Sequence, residues 1–319
     1  MNPLVVVENV LQALTAGLLV GSVYGLMCVG LGLIFGVMRV INFAQGEFMM
    51  LGMYATFYAF TGLGLGHALG PYFGAIAGAA LAGALMYMVG LALHRYLLAR
   101  VTGTRAAGSE AEGHYPQLVL TLGIALVLSN GGLLFFGSTP QSVRTPLSAQ
   151  AWELGPLAGD YLSIFLNQAR SVASLVSMAV AVALYSFISR SRTGKMLRAA
   201  ADNAEAAIYM GIDVERAHRI AFALGCAVTA LAGGLVATYY PFQPYVGLEF
   251  VIIMYTGVVL GGMGSIAGAF WGGLTIGLVQ QLSTLFLPMQ LQNAAIFAVF
   301  LLVVLVRPEG FFGRNVERA

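Results

Sequence analysis

Catalytic and metal-binding chemistry needs histidines, cysteines or carboxylates at short spacings, and this chain has few such groups. No two of its four histidines stand at the spacing of a metal-ligand pair. Cys28 and Cys226 lie in apolar stretches far apart in the sequence, where they predict neither a disulfide nor a metal site. We therefore expect no catalytic residue, no metal and no cofactor, and a protein that is not an enzyme.

Two short matches to nucleotide-binding motifs do not hold. A phosphate-binding loop would need glycine five residues before Gly194 and a hydroxyl residue after Lys195, but the chain has Ser189 and Met196 there. Residues 262–267 match a relaxed dinucleotide pattern, but inside an apolar stretch rather than between a strand and a helix. The sequence predicts no nucleotide site and no nucleic-acid partner.

A polar cluster interrupts the second apolar stretch, 40–62. Asn42, Gln45 and Glu47 follow Arg39, and Gly46 among them indicates a break in the helix. An ionisable group within a membrane span is costly unless it is paired or faces water. Either Glu47 lines a translocation path, or it lies near the cytoplasmic end and pairs with a helix terminus or Arg39.

Three further polar residues in apolar stretches are candidates for the path. Thr121 and Asn130 give the fourth stretch a modest polar lining, which could equally make interhelical hydrogen bonds. Glu249 begins the seventh stretch, where a carboxylate in the first turn favours the helix dipole and could also contact substrate.

A basic, helix-forming insert at 191–218 separates two apolar stretches. Thr193 is expected to cap a helix from Gly194 to Ala201, and Asp202 or Asn203 to cap a second helix that Gly211 ends. Two short helices across a membrane face form a docking surface for another protein. Its expected contact residues are Thr193, Gly194, Lys195, Arg198, Glu205, Ala206, Ala207 and Gly211.

Composition places these features in a lipid bilayer. Hydrophobic residues make up 59% of the 319 residues and charged residues 9%. Nine apolar stretches, at about 20 residues per crossing, predict one all-α polytopic transmembrane domain over 1–319, with about eight to ten transmembrane helices including broken or re-entrant segments. The stretches are 10–38, 40–62, 69–95, 116–136, 171–190, 219–240, 248–264, 265–286 and 291–307.

The positions of the basic residues predict the orientation. Six of the fifteen lysines and arginines fall between Arg190 and Arg219, and others follow the third stretch and end the chain. Basic loops stay inside, so the insert and the C-terminus are expected in the cytoplasm, together with a flexible loop at 101–114. The segment 137–170 is then extracytoplasmic and reads as an ordered cap or short amphipathic helix, and residues 1–8 as an outer tail.

Glycines repeat at four-residue spacing in several stretches. Such strips let membrane helices approach closely, either within one bundle or at a dimer seam or path. The strips contain Gly17, Gly21, Gly25, Gly32, Gly36, Gly70, Gly74, Gly78, Gly264, Gly268, Gly272, Gly273 and Gly277.

Three stretches, 32–54, 192–235 and 257–280, resemble the LivH-type permease subunits of branched-chain amino-acid ABC importers. In the second, Glu205, Ala206, Ala207 and Gly211 have the spacing of the EAA loop through which ABC permeases contact their ATPases. Many importers end this motif with Leu-Pro. The chain has Ala223-Leu224-Gly225 there instead, which resembles the LivH branch.

The resemblance implies an inner-membrane importer built from several subunits. The expected partners are a LivM-like second permease subunit in a heterodimer, two cytoplasmic ATPases and a periplasmic substrate-binding protein. The implied substrates are branched-chain or other hydrophobic amino acids. Related permeases for urea, amides, or aromatic and organic carboxylates are an alternative, and an ion-coupled secondary transporter is an alternative of another class.

Overall fold

The computed structural model describes residues 3–102, 114–157, 162–288, 291–307 and 309–313. Residues 103–113 of the loop expected at 101–114, and residues 314–319, lie outside the described residues; residues 101–102 and 114 are helical. The described residues form fourteen α-helices, one π-helical turn and one pair of strands, in chain order. They are α1 (Pro3–Met38), α2 (Gln45–Thr61), α3 (Leu65–Ala68), α4 (Gly70–Leu93), the π turn (His94–Leu98), α5 (Ala99–Thr102), α6 (His114–Phe136), α7 (Pro146–Ala149), β1 (Ala151–Leu157), β2 (Leu162–Asn167), α8 (Gln168–Arg190), α9 (Arg192–Asp202), α10 (Ala204–Tyr209), α11 (Val214–Val236), α12 (Val246–Gly261), α13 (Ile266–Ser283) and α14 (Gln292–Val306).

The protein is an all-α polytopic membrane protein, as its hydropathy predicts. Each of the nine apolar stretches contains one helix of more than ten residues. Among the described residues, five helices are long and apolar enough to cross a bilayer alone: Val5–Met38, Gly70–Val101, Pro116–Phe136, Gln168–Arg190 and Val214–Val236. The other apolar helices are shorter, which agrees with the expected broken segments.

Helix α1 is the axis of the bundle, and α8, α11, α12 and α13 pack around it. Its contact with α13 is glycine on glycine: a methyl group built on Gly277 would overlap the backbone of Gly21, and one on Gly273 the backbone of Gly25. Such a close approach gains van der Waals contact that larger side chains would block. These glycine strips therefore serve packing within one bundle.

The seventh and eighth apolar stretches form a tight helical hairpin. Gly262 and Gly264, with φ of 97° and 96°, make the turn between α12 and α13 in a conformation that side chains disfavour. The chain returns there near its end, where the amides of Phe311 and Phe312 donate to the carbonyls of Leu260 and Gly261. Those bonds satisfy the last carbonyls of α12.

One expectation about the ends of the bundle was wrong. Residues from Pro3 onward belong to α1 instead of forming a tail. The 137–170 segment, expected as an ordered cap or a short amphipathic helix, holds an antiparallel hairpin, β1 with β2; its described helical residues are the four of α7 and the first three of α8. The polar and apolar residues of the hairpin alternate over only a few positions. The Gln12 side chain of α1 pairs with the backbone of Phe165 in β2.

Replacing Gly277 by alanine should destabilise the protein, because its new methyl group meets the α1 backbone. Overpacking of this kind costs about 1–3 kcal/mol. Gly123 of α6 is the matched control, since nothing lies within 4 Å of a methyl group built there. We expect Gly277→Ala to lower the thermal unfolding midpoint in detergent and Gly123→Ala to leave it unchanged; equal effects would contradict the packing described.

Candidate functional site

The polar cluster of the second apolar stretch lies at a break in the helical backbone. Helix α1 ends at Met38, Arg39 adopts a left-handed conformation with φ of 53°, and α2 begins at Gln45. The predicted break exists, but it covers residues 39–44. Gly46 lies in the first turn of α2, where its missing side chain lets the backbone of Gly247 and the side chain of Val251 approach.

Side chains at the break replace the backbone hydrogen bonds that helical geometry would have made. Asn42 and Gln45 are fully buried, and Asn42 Nδ2 donates to Gln45 Oε1 over 2.9 Å. Asn42 Oδ1 accepts from the amide of Ala44 over 3.2 Å. Gln45 Nε2 then donates to the Thr229 hydroxyl over 2.6 Å and to the Gly225 carbonyl over 3.1 Å, which ties α2 to α11.

Thr121 joins this cluster from α6. Its hydroxyl lies 3.2 Å from the carbonyl of Ile41 and 3.4 Å from the amide of Phe43, both within the break. Thr121 is thus an interhelical hydrogen-bonding residue, one of the two roles open from its sequence. Asn130, two turns further along α6, is exposed and donates to Leu126 of its own helix, outside the cluster.

Glu47 is buried where the first turns of two helices meet. It stands in the first turn of α2, and a methyl group on Gly247, in the first turn of α12, would lie 2.6–2.8 Å from its carboxylate. Helix N-termini carry partial positive charge, so two of them favour the carboxylate without a cation. Its Oε2 has no hydrogen-bond partner among the described residues.

A helix terminus is the neighbour of Glu47, as one of its two readings expected. The ring of Phe250, one turn further along α12, lies 6.0 Å from that of Tyr24 in the middle of α1. Arg39 is at the end of α1 and exposed. Glu47 therefore lies halfway along the bundle, away from Arg39.

Glu249 occupies the first turn of α12, as predicted, and is half-buried. The Tyr240 hydroxyl lies 3.2 Å from its Oε2 and 3.4 Å from its Oε1. No sequence pattern indicated this partner, since Tyr240 precedes α12 in an irregular segment. The carboxylate thus has both the helix dipole and a hydroxyl donor.

The 191–218 insert forms two short helices, α9 and α10, as predicted. Helix α9 starts at Arg192 rather than Gly194, and its cap is Ser191 rather than Thr193: the Ser191 hydroxyl accepts from the amide of Gly194 over 2.9 Å. Gly194 is buried against the backbone of Ile188, so it supports the turn and offers no surface.

The N-cap of α10 is Asn203, one of the two expected residues, with Oδ1 accepting from the amide of Ala206. Gly211 has φ of 77°, and the amide of Ile212 donates back to the carbonyl of Ala207, which closes the helix in a Schellman turn. The predicted end of this helix is confirmed.

The surface of α10 differs from the expectation at one residue. Ala207 is buried and anchors the helix, whereas Glu205 and Ala206 are exposed. Tyr209 and Met210, at 88% and 81% exposure, form an apolar tip together with Ile208 at 53%. Tyr209 was not singled out from the sequence; its position beside Met210 before a helix-ending glycine was the available signal.

The side chains of the two basic candidates on α9, Lys195 and Arg198, have different surroundings. Lys195 is exposed, while the Arg198 guanidinium turns back and donates to the Ser189 carbonyl of α8 over 3.0 Å. Arg198 therefore lies against the α8–α9 corner instead of on a rim directed away from the bundle.

Replacing Gln45 by leucine should destabilise the fold, because Asn42 and the Thr229 hydroxyl lose their buried partner. Leaving buried polar groups unpaired costs about 1–3 kcal/mol. The measurement is the thermal unfolding midpoint in detergent. Asn130→Leu is the matched control, since Asn130 is an exposed amide bonded within its own helix; a shift as large as that of Gln45→Leu would contradict the network.

Comparison with known proteins places these features in one family. A family described as "Branched-chain amino acid transport system / permease component" matches residues 13–306. The "High-affinity branched-chain amino acid transport system permease protein LivH" of Escherichia coli K12 is 32% identical over 310 residues, covering 97% of each chain. No solved structure matches.

Two more distant relatives agree with this match. The "High-affinity branched-chain amino acid transport system permease protein BraD" of Pseudomonas aeruginosa is 29% identical over 98% of this chain and 99% of its own. The "Probable branched-chain amino acid transport permease protein LivH" of Methanocaldococcus jannaschii is 27% identical over 82% and 77%. The chain thus belongs to the family of permease components of branched-chain amino acid transport systems.

Proposed function

We propose that this chain is the transmembrane permease subunit of an ABC importer for branched-chain or other hydrophobic amino acids. It forms the translocation path with a LivM-like second permease subunit, and separate ATPase subunits supply the energy. Family membership across residues 13–306 is the observation that carries the proposal. Relatives from E. coli and P. aeruginosa are named for high-affinity branched-chain amino acid transport.

The α9–α10 surface is the proposed contact with the two ATPases. The exposed side chains of Ile208, Tyr209 and Met210 form an apolar tip that a groove in another protein can bury. Asn203 and Gly211 hold α10 in place from both ends, so the tip is ordered before it binds. A preordered surface loses less entropy on association.

The remaining partners follow from the proposed orientation, with α9 and α10 in the cytoplasm and the chain in a bacterial inner membrane. The hairpin of β1 and β2 then lies on the periplasmic side, where Gln12 ties it to α1 through both backbone groups of Phe165. A fixed hairpin at that face can receive a periplasmic substrate-binding protein. That protein selects the substrate before it reaches the bundle.

The apolar character of the bundle supports a hydrophobic amino acid as substrate. Glu47 is buried inside the subunit and Glu249 is paired with Tyr240, so neither offers an open charged site in this conformation. A zwitterion with an apolar side chain needs few fixed charges along its path. Thr121, Asn42, Gln45 and Gly46 belong to the internal packing here and reach a path only if the subunits rearrange.

Shortening the apolar tip should separate the ATPases from the permease. Truncating a central interface side chain costs about 2 kcal/mol or more, so Tyr209→Ser with Met210→Ser should reduce ATPase copurification at least tenfold. Phe286→Ser is the matched control, because Phe286 is equally exposed, at 86%, beyond the far end of α13. Unchanged copurification in the double variant would remove α10 from the proposed contact.

The complete proposal is tested with the permeases and ATPases reconstituted in nanodiscs. ATP hydrolysis should rise when a binding protein loaded with leucine, isoleucine or valine is added, compared with the same protein unloaded. Stimulation only by a binding protein loaded with urea, an amide or a carboxylate would replace the proposed substrate class with that one. Uptake that continues on an ion gradient without ATP would contradict the importer.

A further inference from the structure

A groove follows the surface of the bundle between α8 and α13, with α1 as its floor. Both helices pack on α1 but make little contact with each other, which leaves a cleft of about 360 Å³. Apolar side chains line it, among them Val29, Met178, Phe270, Trp271 and Leu274. This part of the groove accepts only apolar groups.

The groove becomes polar at the end nearer α9. Tyr185, Ile266 and Ala267 line both the apolar cleft and a neighbouring cavity of about 500 Å³, so the two spaces adjoin each other. The cavity adds Ser189 from α8 and Arg198 and Asp202 from α9. A third space of about 800 Å³ shares Asp202 with it and adds Arg39.

The charges around the polar end favour an anion. Among the described residues that line the two polar spaces, the guanidinium groups of Arg39 and Arg198 face one carboxylate, that of Asp202, which leaves a net charge of one positive unit. The bond from Arg198 to the Ser189 carbonyl fixes its guanidinium at the α8 wall and uses one of its five donors. A singly charged phosphodiester matches this arrangement.

We propose that the groove binds an anionic phospholipid, with an acyl chain along α13 and the phosphate between Arg198 and Arg39. From Ile266 to Leu274 the helix rises about 12 Å, most of the ~15 Å hydrocarbon depth of one leaflet. A soluble phosphate would leave the apolar cleft unfilled, and a hydrocarbon would leave the net positive charge without a counter-ion. An amphiphile satisfies both of the adjoining spaces.

The bound lipid would connect α9 to the body of the bundle. Arg198 belongs to α9, Arg39 follows α1, and the acyl chain lies on α13. The position of the α9–α10 surface would then depend on the anionic lipid content of the surrounding leaflet. This site concerns the lipid environment and does not depend on the transported substrate.

Trp271 allows the site to be tested without transport. The chain has two tryptophans, and Trp152→Phe leaves Trp271 as the single fluorophore, in the groove. The full chain in phosphatidylcholine nanodiscs is compared at rising fractions of brominated phosphatidylglycerol or brominated phosphatidylcholine. We expect brominated phosphatidylglycerol to reach half-maximal quenching at a lipid fraction at least fivefold lower than brominated phosphatidylcholine. One basic residue near an anionic lipid contributes about a fivefold difference in affinity.

Two variants separate the groove from general lipid contact. Arg198→Gln should raise the phosphatidylglycerol fraction at half-quenching about fivefold, while Arg190→Gln, an exposed position beside the cavity that does not line it, should leave it unchanged. Ala267→Phe, at an exposed position, should fill the junction and remove the preference. Equal quenching by both lipids, or equal effects of the two arginine variants, would overturn the proposal.

Discussion

Inside an apolar bundle, an amide or carbonyl that loses its helical partner must find another within the protein. Residues 39–44 meet this constraint with side chains: Asn42 caps the turn, Gln45 bonds to α11 and Thr121 reaches in from α6. The break therefore fixes three elements at once. Because α2 begins only after it, the break also brings Gly46 and Glu47 to the start of α12.

The glycine contacts supply the second condition for this geometry. Helix α1 can serve as the axis because Gly21 and Gly25 meet Gly273 and Gly277 without intervening side chains. On another face, Gly30 leaves room for the Thr229 hydroxyl to reach Gln45. Close backbone packing against α13 and the space for the polar network thus use different faces of α1. Helix α9 packs on α1, α8 and α11, so a displacement of α9 would reach this axis directly.

Much of the architecture could be predicted because membrane helices carry strong local signals. Hydropathy located the nine helical stretches, and Gly211 located the end of α10. The exact break could not be predicted: Gly46 is the usual helix breaker, but Asn42 bonds to the amide of Ala44 and ends the irregular segment before it. Ser191 and Thr193 are equally good caps in sequence, and the end of α8 at Arg190 decides between them.

Long-range partners account for most of the remainder. Thr229 is one hydroxyl in an apolar stretch, and its bond to Gln45 crosses 184 residues of chain. Tyr240 and Glu249 meet through an irregular segment, and the β1–β2 hairpin has too few residues to show a clear alternation. Such contacts depend on how the helices assemble, which periodicity alone does not determine.

The most direct test of the account is a double-mutant cycle between Gln45→Leu and Thr229→Val, measured as unfolding free energies in detergent micelles. If the bond between α2 and α11 holds the break, the two effects should couple by about 0.6–1.7 kcal/mol, from the average to the maximum measured for hydrogen bonds between membrane helices. Strictly additive effects would show that the break is held by packing alone and would contradict the account.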